Sequence, residues 1–444
     1  MKTPEDLLRD SGFVCAAELD DQLLIRDLLS EMERGLAGEA SSMLMVPTFV
    51  GVRGKVREGA RAAVLDAGGT NFRGAVVEIP PKILHRENRP MPGTKTEAGE
   101  EEFYEAFAAE VRRLAPLAGG GKFGWCFSYP AEATPALDAR LVRWTKNIKA
   151  PAIVGQYVGA ELLKRLGGGE VAVINDTVAT LLAAKATEGE RVYSSYIGFI
   201  LGTGTNCAYV EDVENITKLG GERLPSGSGV EMGEDGVPPG GRKMIINAES
   251  GNFDKIAQSD FDRALDQKSG QPGTGRLEKM IAGAYLGPLG LEIYRAAARE
   301  GLFSPEATAA LARITSLETI DFDNFCAAYK SPDRENVLDS AFAKADDAKM
   351  ARRLGLPVFE RAAALTAIHL AAFAIKSGAG DDPEAPIALS ADGSTWYKTR
   401  AIPFAATVRT MLDDMLVRRR NIHYEIAPQV VDAPLVGAAI AALL

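Results

Sequence analysis

Histidine and cysteine are nearly absent, with 3 histidines and 4 cysteines in 444 residues. Cys15, Cys126, Cys207 and Cys326 stand far apart without a C-x-x-C pair, which excludes a disulfide-stapled scaffold and leaves no basis for a thiolate zinc site. His85, His369 and His423 form no H-E-x-x-H pattern, so histidine-based metal chemistry and a Ser-His triad have little to build on. No apolar core follows Met1-Lys2-Thr3-Pro4-Glu5-Asp6, so no signal peptide is expected. The longest apolar stretch, Ala362 to Ile375, is interrupted by Thr366 and His369 and falls short of the roughly 20 residues that span a bilayer. Positive charge is also in deficit. Lys plus Arg is 50 and Asp plus Glu is 60, so 50 − 60 gives −10, against an extended nucleic-acid or anionic-membrane surface. The expectation is a cytoplasmic protein whose partners are small molecules, not nucleic acid or membrane.

What is present is ordinary for a globular protein: 46% apolar and 25% charged residues. The length suggests two or three domains at about 150 residues each. Leu24, Leu28, Met32 and Leu36 mark a helix over 22–36, closed by Gly35 and Gly38. Val64-Leu65-Asp66, Gly68-Gly69 and Phe72 to Ile79 read as strand, turn and strand. A helix is expected over 103–114, a buried strand over 123–129, and a helix over 153–166 stopped by Gly167-Gly168-Gly169. Val171–Ile174 reads as a strand and 177–186 as a helix; 195–201 and 207–211 form a second hairpin. Residues 220–242 read as a surface loop, 254–380 as largely helical, 387–391 as a strand and 436–444 as a closing helix. The alternation argues for an α/β protein. Gly69-Thr70-Asn71 recurs as Gly204-Thr205-Asn206, either a coincidence or one phosphate-clamping unit in each of two related domains.

Chemistry concentrates at three places. Asp66-Ala67-Gly68-Gly69-Thr70 offers glycine-freed backbone N–H groups, a hydroxyl and a carboxylate able to hold hydrated Mg²⁺. Gly202-Thr203-Gly204-Thr205 is a second such turn, and neither is a Walker motif. Asn175-Asp176-Thr177 opens a helix after a strand, where Asp176 either caps the helix or faces a cleft as a general base.

The chain resembles a eukaryotic-type hexokinase/glucokinase with a single catalytic unit. The resemblance runs in order through Leu65–Arg73, Phe127-Ser128-Tyr129-Pro130, Trp144-Thr145-Lys146, Ile174–Leu181, Gly202–Asn206, Ile246-Asn247-Ala248-Glu249, Glu278–Ile281 and Asp392-Gly393-Ser394. It implies an α/β, actin-like ATPase (ribonuclease H-like) fold with two domains around a deep cleft. The expected small domain is 57–174 plus 432–444, and the large domain 1–56 plus 175–431. The implied activity is transfer of phosphate from ATP, with Mg²⁺, to the 6-hydroxyl of a hexose, most readily glucose, a step of glycolysis.

In that resemblance Asp176 is the base, with Lys146 beside it. Ser128, Thr145, Lys146, Asn175, Asn206, Glu249 and Glu278 hold the sugar. Asp66, Gly68, Gly69, Thr70, Asn71, Gly204 and Thr205 handle phosphates and the metal, Asp66 holding Mg²⁺ through water, while Gly393 and Ser394 line the adenosine pocket. A neutral polyol suits such a polar list, because an analogue lacking one hydroxyl leaves a buried group unpaired. Four departures stand out: Ala67, Ser250 after Glu249 in place of a usual Trp, Pro288 in place of a Glu, and Lys398-Thr399-Arg400 after the Asp-Gly-Ser. The alternative is a catalytically silent sugar-sensing protein on the same fold. Retention of Asp66, Thr70, Lys146, Asp176 and both glycine turns favours the kinase.

Overall fold

The computed structural model describes every residue except Met1, Arg53, Lys55, 145–147 and 221–242. The expected loop at 220–242 therefore lies almost wholly outside the described residues, as do Thr145 and Lys146.

Two sheets repeat one strand order. The first is a five-stranded sheet ordered Lys82–Pro90, Asn71–Glu78, Arg61–Ala67, Phe123–Phe127, Val171–Ile174. The second runs Val46–Pro47, Lys243–Asn247, Thr205–Asp212, Ser195–Leu201, Ile387–Asp392, Tyr424–Ile426. In both, an antiparallel run joins two further strands parallel to the hairpin's first strand. The parallel strands Phe123–Phe127 and Ile387–Asp392 are near-continuous apolar runs because both of their faces are covered. The edge strand Lys82–Pro90 carries Lys, His, Arg, Glu and Pro, which discourage pairing with another chain. Its polar alternation left it unread in the sequence, as were Lys243–Asn247 and the short Tyr424–Ile426.

The sequence repeat is not in structural register. Ala67 pairs with Phe72, whereas Leu201 pairs with Thr205, so the first turn is one residue longer. Asn71 sits exposed at the turn, while Asn206 lies half-buried inside the ladder opposite Ile200. The duplication lies in the topology.

The sheets meet through two helices that follow the fifth strand of each repeat, Asp176–Ala186 and Ala433–Leu443. Both are buried nearly all round, which their Ala-rich sequences permit. A Cβ on Gly437 would lie 2.0 Å from the Ala179 carbonyl oxygen. Likewise, a Cβ on Gly124 of the first sheet would lie 2.0 Å from Ala438 O, and one on Gly198 of the second 2.5 Å from Thr177 O. Sheet, helix, helix and sheet thus stack at distances that only glycine allows.

A larger helical layer packs on the outer face of the second sheet, around the 32-residue helix Ala345–Lys376. The stretch 362–375, too short by itself to span a bilayer, belongs to this helix. By length and composition the helix could cross one, and 89% of its most apolar window is buried within the fold. His369 on it is fully buried beside Phe199 and Phe373. Among the described residues neither of its ring nitrogens has a partner. Burial holds its pKa down from 6.5 to about 3.

Two outcomes follow from this packing. Gly437→Ala is expected to destabilise the fold by at least about 2 kcal/mol in urea unfolding, because the added methyl has no volume to enter. Below pH about 6.5 the unfolded chain takes up a proton at His369 that the folded chain refuses until about pH 3, so stability falls with acidification across that window. His369→Met is expected to reduce that acid slope in denaturation curves measured from pH 7 to 4.

Candidate active site

Three turns lie within electrostatic reach of one helix start, that of Asp176–Ala186 between the two sheets. In the first hairpin, the Gly68 N–H donates to Asn71 O at 3.1 Å, and a Cβ on Gly68 would come within 2.7 Å of that oxygen. The Tyr129 hydroxyl donates to Gly68 O at 2.6 Å, and the Met91 N–H to Thr70 O at 3.0 Å. The turn is held from both sides. Among the described residues the amides of Gly69 and Thr70 have no protein acceptor, so they are available to an anion.

The second turn is anchored differently. Gly202 O accepts from Gly283 N at 2.7 Å and from the Thr395 hydroxyl at 3.0 Å, while Thr203 O accepts from Ala284 N at 3.1 Å. Thr205, expected at the phosphates, gives its amide to Glu278 Oε2 at 2.9 Å and its hydroxyl to Ile200 O at 2.9 Å. Its donors hold the turn. Among the described residues the amides of Thr203 and Gly204 have no protein acceptor. Beside this turn, Gly393 has φ +116°, and a Cβ there would lie 2.3 Å from Leu201 O. Its N–H donates to Asp392 at 2.8 Å, and exposed Ser394 begins a short helix.

The capping of the helix does not fall to Asp176. Asn175 is the N-cap, its Oδ1 accepting from Thr177 N at 2.8 Å. Among the described residues Asp176, the first residue of the helix, receives only the Thr177 hydroxyl at 3.4 Å. Its carboxylate is free of capping duty at the positive end of a helix dipole. Its charge acts on Asp66 of the first sheet and on Glu249 and Asp392 of the second.

Burial raises the pKa of each of these three carboxyls, and the charge of Asp176 adds to the effect. Arg73 opposes this at Asp66, its Nε donating to Oδ2 at 2.8 Å and its Nη2 also donating there. Ser128 lies just beyond the Phe123–Phe127 strand, with its Oγ 3.7 Å from Cys126 Sγ, and Cys126 feels both Asp66 and Asp176.

A second polar group gathers on the other side. Asn247 Nδ2 donates to Glu249 Oε1 at 2.9 Å, and Asn206 Nδ2 reaches the same oxygen at 3.4 Å and Asn247 Oδ1 at 2.7 Å. Asn206 Oδ1 accepts from Ser250 N at 3.2 Å and Cys207 N at 2.7 Å, so this side chain chiefly shapes the Glu249 loop. Glu249 itself has φ +54°. Glu278 is raised by burial, against the Thr205 amide that favours its ionised form. Ser250 is fully buried, and among the described residues its hydroxyl has no partner.

The structure thus brings together Asp66, Gly68, Gly69, Thr70, Ser128, Asn175, Asp176, Gly204, Asn206, Glu249, Glu278 and Gly393, with Asn71 and Ser394 on the exposed shoulders. Thr145 and Lys146 lie outside the described residues. Sequence reasoning passed over Arg73, Thr203, Asn247 and Asp392, which stand inside the quoted motifs, and Asp432, which no motif marked.

Paired sheets of this order with a site at their junction define the actin-like ATPase fold. Two family models, both described as hexokinase, match residues 16–186 and 196–444. Hexokinase-1 of Nicotiana tabacum is 34% identical over 314 residues, covering 66% of this chain and 59% of that protein. Hexokinase-2 of Oryza sativa subsp. japonica is 30% identical over 92% of this chain and 85% of its own length. A solved hexokinase from Schistosoma mansoni complexed with glucose superimposes with a TM-score of 0.73 and 25% identity, over 99% of both chains. The chain belongs to the hexokinase family. Its matches to the tobacco and potato relatives span 59% and 56% of their lengths.

Because burial and like charge raise Glu249, it costs folding energy while ionised, a cost removed as pH falls through its raised pKa. Glu249→Gln keeps the acceptor for Asn247 and drops the charge. It is expected to raise the melting temperature by about 1–3 °C at pH 7.5 in thermal unfolding.

Proposed function

We propose that this chain transfers the γ-phosphoryl group of ATP to the 6-hydroxyl of a hexose, glucose foremost, with Asp176 as general base. The observation that carries this reading is the release of Asp176 from capping, at a helix start within electrostatic reach of groups from both sheets. The Schistosoma relative's complex with glucose supports the choice of sugar.

In this reading Ser128, Thr145, Lys146, Asn175, Glu249 and Glu278 receive the sugar hydroxyls. Free amides at Gly69, Thr70, Thr203 and Gly204 meet the phosphates from two sides, with Gly393 and Ser394 near the adenosine. The lobes 57–174 plus 432–444 and 1–56 plus 175–431 close on the substrates and exclude water that would otherwise accept the phosphoryl group. Asp176 takes the 6-hydroxyl proton as the new O–P bond forms. The bond from the γ-phosphorus to the bridging oxygen breaks, and ADP leaves with that oxygen.

The residues fit a divalent cation held at a distance. Asp66, Asp176 and Asp392 place negative charge around one space, with Arg73 the cation bonded to Asp66. Among the described residues no three acidic, His or Cys side chains are grouped closely enough to ligate a metal directly, which favours attachment of Asp66 through water. When bound, Mg²⁺ neutralises phosphate charge.

Asp176→Ala is expected to lower kcat by about 10² to 10⁴-fold in a coupled ATP–glucose assay, while calorimetry still detects sugar binding. Near-wild-type turnover would remove Asp176 from its role. Wild-type protein that binds glucose but transfers no phosphate to any hexose would instead make the chain a sugar sensor.

A further inference from the structure

Asp432 caps the C-terminal helix in a left-handed conformation, φ +56°, which Asp tolerates better than most residues but which still needs fixing. Two arginines fix it. Arg73 Nη1 donates to its Oδ1 at 2.6 Å and Arg86 Nη1 to its Oδ2 at 2.7 Å. Two further N–H groups of Arg73, on Nε and Nη2, go to one oxygen of Asp66.

The sheet register makes this line possible. Asp66 and Arg73 are direct cross-strand partners, and Arg86 lies on the next strand, opposite Ala75. A chain of charge therefore runs Arg86, Asp432, Arg73, Asp66 from the exposed edge strand to the phosphate turn. The Asp432 side chain is 11% exposed and that of Asp66 9%, so solvent screens the inner links weakly.

We propose that Asp432 is a positioning residue for the nucleotide half of the site. By holding Nη1, it fixes the orientation of the Arg73 guanidinium so that Nε and Nη2 converge on one oxygen of Asp66 instead of forking across both, the usual geometry of an arginine–carboxylate pair. One Asp66 oxygen stays clear of the guanidinium, and the charge of Arg73 is divided between two acids. Loss of the Asp432 charge frees Arg73 to cover Asp66 and lowers its attraction for a hydrated divalent cation and the phosphates it accompanies. The sugar side, built on Asn247, Glu249 and Glu278, makes no contact with this line. The inference rests on the kinase reading given above.

Asp432→Asn tests it, since Asn suits the left-handed cap and keeps one acceptor. Calorimetry is expected to show magnesium–ATP binding weakened about tenfold, the scale found when a group orienting a metal site is altered. Glucose affinity should change less than twofold. In an Arg73→Met background the same substitution should add nothing further, because its effect passes through Arg73.

Equal losses of nucleotide and sugar affinity with a lowered melting temperature would reduce Asp432 to a structural cap. Unchanged nucleotide affinity, or a further loss in the Arg73→Met background, would overturn the relay. A crystal structure of ligand-free Asp432→Asn gives an arm independent of activity. Arg73 is expected to turn toward both oxygens of Asp66, and an unmoved guanidinium would contradict the proposal. Wild-type protein that binds no magnesium–ATP would refute the kinase reading, while that structure would still decide the role of Asp432.

Discussion

The contact on which the rest depends is the crossing of two buried helices, where Gly437 lies against the backbone of Ala179. Each helix follows the last strand of one repeat, and each lies closely on a sheet through another glycine, Gly124 or Gly198. This stack has no slack, because a single methyl would have to displace backbone. Its consequence is chemical. It brings the starts of both helices, Asp176 and Asp432, near the same space, faced by the glycine turns of the two hairpins. A duplicated topology thus delivers two acids to one place. Asp432 is bound by two guanidinium groups, while among the described residues Asp176 has a single long contact from Thr177.

That space is held against its own charge. Asp66, Glu249 and Asp392 are all pushed up by burial, with Asp176 adding to each, and the charge of Arg73 opposes this at Asp66 and at Asp392 but not at Glu249. The asparagines show how the scaffold manages this. Asn175 takes the capping bond so that the next residue is spared, and Asn206 and Asn247 aim Glu249. The same logic explains Thr205, whose donors fasten the second turn while the amides before it stay open.

The elements legible in the sequence were those whose signal is local. The hairpin at Asp66–Gly69, the strands around 123–127 and 195–201, and the helix after Asn175 announce themselves by apolar runs and glycine turns. The edge strand Lys82–Pro90 was not legible, because its job is to meet solvent and its residues look like a loop. Helix Ala345–Lys376 was read only as part of a largely helical stretch over 254–380, because its polar first turns, with Asp346 and Asp347 at the start, carry no local mark of where it begins. Pro288 is a departure from the family pattern that the fold absorbs, for it falls in the first turn of Leu286–Arg299, where its missing N–H is not required. Asp432 was beyond reach, because its importance comes from residues more than 300 positions away in sequence that only the folded sheet brings beside it.

The proposed transfer requires the Asp176 carboxylate, at the start of its helix, to meet the primary alcohol of a hexose. A crystal structure of the chain with glucose and a non-hydrolysable ATP analogue tests it most directly. The 6-hydroxyl is expected within hydrogen-bond distance of the Asp176 carboxylate, with the terminal phosphate on its other side. A hexose seated among Glu249 and Glu278 with its 6-hydroxyl turned away from Asp176 in the closed complex would contradict it.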